Sequence, residues 1–124
     1  MRAGLVVSVL VLLTTTGCGP LPRARPLPAG KSFAGVWDSN WGQLTLLQQG
    51  SHIHGTYKGF RTGSVSGDLD GNLLVFRWTQ WESRQWGRGY LQMGPDGERL
   101  EGKWGYARDF TNGGTWWATR ATSQ

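Results

Sequence analysis

The most constraining feature of this chain is an alternation of apolar and polar residues that begins near Ser32 and continues through most of the remaining sequence. Successive side chains of a β-strand point to opposite faces of the sheet, so a period of two predicts strands with one buried face. Turn signals interrupt the alternation at regular intervals, the clearest being Asp70-Gly71, which is typical of a two-residue hairpin. No stretch keeps a helical period for long enough to predict a helix. The pattern predicts an all-β protein.

The number and order of the strands favour a closed barrel. We predict eight strands joined by short connections, which makes an antiparallel meander with no crossover. A long meander leaves two unpaired edges unless it closes, so we predict an eight-stranded up-and-down barrel spanning residues 32–122. An open sandwich of the same strands is the alternative. The predicted strands cover residues 32–39, 43–49, 51–58, 62–69, 73–79, 86–93, 99–106 and 115–121.

A recurring triplet supports closure. Glycine stands two residues before an aromatic residue at 35–37, 55–57, 102–104 and 114–116. Residues two apart share a face of a strand, and a glycine on a strongly bent strand relieves crowding while the neighbouring ring covers it. We therefore expect these glycines at the bends of the barrel wall.

The first 31 residues do not follow the strand pattern. Arg2 precedes an apolar run at 5–13, which is shorter than the about 20 residues that a transmembrane helix needs. A basic start, a short apolar run and small residues before Cys18 describe a secretory leader. We predict a signal peptide at 1–17 and, at 18–31, a proline-rich tether in a semi-extended conformation.

The residues around the predicted cleavage site resemble a known modification signal. Residues 14–18 read Thr-Thr-Thr-Gly-Cys, which resembles the lipobox of bacterial lipoproteins except that Thr15 stands where leucine is usual. The resemblance implies that Cys18 becomes the acylated N-terminus and that its acyl chains make the membrane a partner. Gly19 after the cysteine, by the same resemblance, favours the outer membrane of the bacterial cell envelope. An ordinary leader followed by an incidental cysteine is the alternative.

Composition and motifs exclude several function classes. The formal net charge is +5, three of the positive charges lie in the tether, and no basic stripe alternates with aromatic residues, so nucleic acid is not an expected partner. The acidic residues fall mostly at turns, and no phosphate loop, dinucleotide fingerprint or nucleophile motif occurs. His52 and His54 share a strand face but lack a third metal ligand. We predict a non-catalytic protein without a metal site or cofactor.

The eight tryptophans are the unusual feature of the composition. An eight-stranded barrel is just wide enough to be filled by side chains or to hold one small ligand. Trp41, Trp81 and Trp86 fall at predicted loops or strand ends, where core filling does not account for them. We therefore predict a small or hydrophobic ligand at an aromatic-rimmed barrel mouth. The alternative is a solid-core barrel that acts through protein contacts, as an envelope inhibitor or assembly factor.

The order of the motifs resembles the calycin group of barrels and, within it, the avidin family. Gly35-Val36-Trp37 looks like the opening of that group, and Arg120 is placed like the arginine that packs on this tryptophan at the closed end. Avidins hold the polar ring of biotin with an asparagine and a serine where this chain has Ser39 and Gln43, so tight biotin binding is not expected. The resulting candidate ligand-binding residues are Trp37, Ser39, Gln43, Tyr57, Trp78, Trp86, Tyr90, Trp104 and Trp117.

Overall fold

The computed structural model describes residues 21–122, in which the chain forms eight β-strands. The signal peptide predicted at 1–17 and the acylation predicted at Cys18 lie outside the described residues. The strands are β1 (Gly35–Ser39), β2 (Gly42–Gln49), β3 (His52–Lys58), β4 (Thr62–Asp70), β5 (Leu73–Gln80), β6 (Trp86–Met93), β7 (Arg99–Tyr106) and β8 (Gly114–Arg120).

These strands form one closed barrel in which each strand pairs antiparallel with the next along the chain. The last strand returns to the first, with Trp37 of β1 opposite Arg120 of β8. The predicted eight-stranded up-and-down barrel is therefore confirmed, and the open sandwich is wrong. Within residues 21–122 no helix is long and apolar enough to cross a membrane.

The predicted strand bounds agree with the observed ones to within one residue except at the start of β1. The largest difference is at β1, which begins at Gly35 and not at residue 32. Phe33 crosses the end of the barrel instead, where its side chain is fully buried and its backbone N–H donates to Gln48 Oε1 at 2.9 Å. Burying this ring over the core takes the chain out of the plane of the sheet before β1 starts.

The β4–β5 hairpin turns one residue later than the sequence predicts. Asp70 pairs with Leu73, so the two central residues are Gly71 and Asn72. Gly71 has a φ of 59°, whereas Asn72 does not take a positive φ. This is the pattern of a type II′ turn, which needs glycine only at its first central position.

The barrel interior changes character along its axis. At the end where β1 begins, which we call the closed end, the interior is filled by fully buried aliphatic side chains such as Leu46, Ile53 and Leu100. At the opposite end, which we call the open end, the inward residues are mostly aromatic. The open end is surrounded by the β1–β2, β3–β4, β5–β6 and β7–β8 loops.

Arg120 and Trp37 seal the closed end. The Arg120 guanidinium lies 4.2 Å from the centroid of the Trp37 ring, and cation–π contacts stabilise by about 0.5–2 kcal/mol. Arg120 also donates to the backbone carbonyls of Ser32 (2.9 Å), Ala34 (3.1 Å) and Gly97 (2.9 Å). One side chain therefore ties residues 32–34 and the β6–β7 loop to β8 over the filled end of the barrel.

In the described part of the predicted tether, residues 23–31 lie against the closed end, whereas Pro22 lies on the outer wall. Asn72 is buried and holds the segment by two bonds, because the Arg25 N–H donates to Asn72 Oδ1 at 2.9 Å and the Asn72 N–H donates to the Arg25 carbonyl at 2.7 Å. Leu27 packs on the core, and Lys31 pairs with Glu98 at 3.2 Å. This segment thus forms a strap across the barrel end, which the packing of Leu27 and the hydrogen bonds of Asn72 hold in position.

Candidate functional site

The open end contains a cavity of about 380 Å³. Volumes of about 300–1,000 Å³ are typical of sites for small molecules. Its walls are mostly aromatic, and the aromatic residues are Trp41, Tyr57, Trp78, Trp104, Tyr106 and Trp116. The barrel is therefore filled at one end and hollow at the other.

Trp104 is the centre of the aromatic wall. Its ring centroid lies 5.0 Å from that of Trp41, 5.7 Å from that of Trp78 and 5.1 Å from that of Tyr106. All three pairs are edge-to-face, the arrangement that the charge distribution of aromatic rings favours at these distances. The Trp78 indole N–H donates to the Gly105 carbonyl at 3.0 Å and fixes a second ring. The rings of the aromatic wall therefore hold one another in position.

The β1–β2 loop positions Trp41 over the cavity. Ser39 Oγ donates to the Gly42 carbonyl at 2.6 Å and accepts from the Trp41 backbone N–H at 3.0 Å. Ser39, a predicted ligand contact, does not line the cavity. It shapes the turn that carries a lining residue.

The polar groups of the cavity are few. The non-aromatic side chains of the lining are those of Arg61, Gln80 and Gln85, and Gln80 is buried with its side-chain amide donating to Ser83 Oγ at 3.0 Å. Burial, with a smaller contribution from the Glu82 carboxylate, raises the pKa of Tyr57 to about 12, and Arg61 partly offsets this shift. The Tyr57 hydroxyl is therefore protonated at neutral pH and is a hydrogen-bond donor.

The structure brings three of the nine predicted ligand-binding residues together in the cavity. Tyr57, Trp78 and Trp104 lie at the open-end termini of β3, β5 and β7, and all three line it. Trp37 is fully buried at the closed end, where it contacts Arg120 and its indole N–H donates to the Phe33 carbonyl at 3.0 Å.

The remaining predicted residues lie on the outer face. Trp86 and Tyr90 point outward because the alternate positions of β6 that face the interior begin with Gly87 and Gly89. The Arg77 guanidinium covers the Trp86 ring at 4.2 Å from its centroid. Gln43 is exposed on β2.

β8 presents Trp116 to the interior and Trp117 to solvent, which the sequence left open. Trp116 is 3% exposed and Trp117 is 40% exposed. The buried indole N–H of Trp116 has no hydrogen-bond partner in the described part of the chain, whereas those of Trp37 and Trp78 do. Trp117 is therefore placed on the outer wall with Trp86 and Tyr90.

Several lining residues were absent from the sequence prediction. Gln80 and Tyr106 follow Trp78 and Trp104 by two positions, so the strand period places them on the same inward face. Trp116 carries the signal of the Gly-x-aromatic triplet. Arg61 and Gln85 lie in loops, where no periodicity assigns a direction to a side chain.

The histidine pair is a surface feature. His52 and His54 are exposed on the outer face of β3 with ring centroids 5.9 Å apart, and His52 Nδ1 lies 3.4 Å from Asp68 Oδ1. Between residues 21 and 122 no group of three side chains is arranged to hold a metal ion.

Comparison of the chain with protein-family models, curated proteins and solved structures finds no significant match. The resemblances to the lipobox and to the avidin family therefore depend on the motifs quoted above and stay predictions.

Proposed function

We propose that this chain is a non-catalytic binding module that holds a small, largely apolar ligand in the cavity at the open end of the barrel. The observation that carries the proposal is the aromatic-walled space of about 380 Å³ above a filled core. Sites for small molecules combine apolar walls with a few polar groups at defined points, as Tyr57, Arg61 and Gln80 are here. Edge-to-face contacts between the wall rings add to the stability of this arrangement.

A titration followed by tryptophan fluorescence tests this proposal, because four of the six aromatic wall residues are tryptophans. The compounds are biotin, a long-chain fatty acid and a peptidoglycan fragment. Saturable quenching or a blue shift with any of them supports a small-molecule site. If none of the three compounds changes the fluorescence, the alternative of a protein partner is favoured.

That alternative has an observation of its own. Phe60 in the β3–β4 loop is 89% exposed and Trp81 in the β5–β6 loop is 55% exposed, both beside the mouth. Exposed aromatic residues grouped at one end of a molecule are typical of interaction surfaces. A protein partner seated on the mouth would cover them.

The proposed module is attached to the bacterial envelope, at the outer membrane, through acyl chains on Cys18. Only two residues separate Cys18 from Leu21, and an extended chain advances at most about 3.6 Å per residue. An anchor at Cys18 would therefore hold the barrel close to the lipid surface.

Replacing Cys18 with alanine tests the anchor. Lipidation begins at this thiol, so the Cys18→Ala protein is expected in the soluble fraction after cell lysis, with the unchanged protein in the membrane fraction. Fractionation followed by immunoblotting measures the distribution, and Ser8→Ala within the leader serves as the matched control. A Cys18→Ala protein that stays in the membrane fraction contradicts the anchor.

A further inference from the structure

The cavity lining carries a single formal charge. Arg61 is the one charged residue among the described residues that line it, and its side chain is exposed at the mouth. Its nearest aromatic neighbour is Phe60, whose ring centroid lies 5.5 Å from the guanidinium carbon. The cavity therefore joins apolar walls to a cation at the opening.

This cation makes no ion pair with another residue in the range 21–122. The ion pairs found in that range lie at the closed end or on the outer face, at Lys31–Glu98, Arg120–Glu98, His52–Asp68 and Arg99–Glu101. Glu82 is the acid of the neighbouring β5–β6 loop; its charge acts on the Tyr57 hydroxyl, but its side chain does not line the cavity and forms no ion pair with Arg61. The hydrogen-bond donors of the Arg61 guanidinium are thus available to a molecule in the mouth.

Aromatic walls by themselves suit two kinds of charged ligand. Ring faces attract organic cations, and cation-binding sites of this kind are built from such rings. In this cavity a cation would meet the Arg61 guanidinium without a lining carboxylate to offset the repulsion. An anion meets the same guanidinium favourably, because its planar fork of N–H groups matches a carboxylate.

We propose that the ligand is a compact organic anion whose apolar body lies among Trp41, Trp78 and Trp104 and whose carboxylate or similar acidic group meets Arg61 at the mouth. This inference rests on the proposed small-molecule function and adds the chemical class of the ligand. It makes Arg61 the residue that determines charge selectivity. The apolar surface of the aromatic wall supplies affinity for the uncharged body of the ligand.

Three probes with one ring system test the inference. They are 2-naphthoate, 2-naphthylmethanol and 2-naphthylmethylammonium, which differ in charge and share the apolar body. Equilibrium dialysis measures their binding to the full-length chain in phospholipid nanodiscs, with empty nanodiscs as the blank. We expect the anion to bind about 10-fold more tightly than the alcohol, as a charge-assisted hydrogen bond allows, and the cation to bind most weakly.

Arg61→Gln is expected to lower the affinity for 2-naphthoate about 10-fold and to change that for the alcohol by less than about twofold. Arg108→Gln is the matched control, because Arg108 is also an exposed loop cation at the open end but does not line the cavity. Equal binding of anion and alcohol, or an unchanged preference in Arg61→Gln, overturns the inference while leaving the binding function in place. Binding of none of the three above empty nanodiscs contradicts both proposals.

Discussion

Replacing Gly102 with alanine is expected to destabilise the barrel by about 3 kcal/mol or more, because the added methyl group has no room. Gly102 lies inward on β7 between Leu91 of β6 and Trp116 of β8. A Cβ at this position would overlap the backbone carbonyl of Tyr90, which cannot turn away as a side chain can. Two paired strands must separate to admit it, and the hydrogen bonds between them weaken.

Thermal unfolding followed by circular dichroism measures this effect. For a domain of about 100 residues, a loss of about 3 kcal/mol corresponds to a fall in Tm of about 12 °C or more. Gly94→Ala is the matched control, since the nearest atom to its added Cβ is the Arg99 carbonyl oxygen at 3.7 Å and its φ is not positive. If the Tm of Gly102→Ala lies within a few degrees of that of Gly94→Ala, the barrel wall can accept a methyl group at Gly102, and the prediction is wrong.

Replacing Trp104 with alanine is expected to abolish ligand binding. The side chain contacts Trp41, Trp78 and Tyr106 edge-to-face, so its loss removes one wall and the support of three others. Removal of a buried tryptophan also lowers the free energy of unfolding by about 3–5 kcal/mol. Dialysis with 2-naphthoate measures binding, and circular dichroism checks that the barrel is folded.

Two further variants separate the wall from general stability. Trp41→Ala removes a half-buried loop residue of the same wall at a smaller cost in stability, and it is also expected to weaken binding. Trp117→Ala removes the same side chain from the outer face, where it is 40% exposed, and is expected to leave binding unchanged. Loss of binding in Trp117→Ala, with binding retained in Trp41→Ala, would move the site to the outer wall.

The sequence predicted the fold more completely than the site. Strand positions follow from period-two alternation and turn residues, which are local signals that each segment carries by itself. Tyr57, Trp78 and Trp104 were predicted as a set and meet in the cavity. Trp86 and Tyr90 were predicted with them but lie outside, since the resemblance ordered the motifs without assigning a face to each strand.

Some residues of the site could not be predicted from local sequence patterns. Arg61 and Gln85 lie in loops whose shape depends on the strands they join. The role of Ser39 also depends on tertiary structure, because its hydroxyl binds the turn that brings Trp41 over the cavity. No spacing along the chain encodes these directions.

The sequence by itself determined the all-β class and the number and order of the strands, because alternation and turns act within and between neighbouring segments; it favoured closure of the sheet over an open sandwich, and the structure decided it. Only the tertiary structure decided that one end is filled and the other hollow. The inward positions in the open-end half of β6 are Gly87 and Gly89, against which the rings of Trp78 and Phe76 lie, and the rings in the open-end halves of β3, β5 and β7 line the space without filling it. The pairing register of all eight strands decides which rings meet at the open end and that Arg61 lies beside them. No single segment of the sequence contains that information.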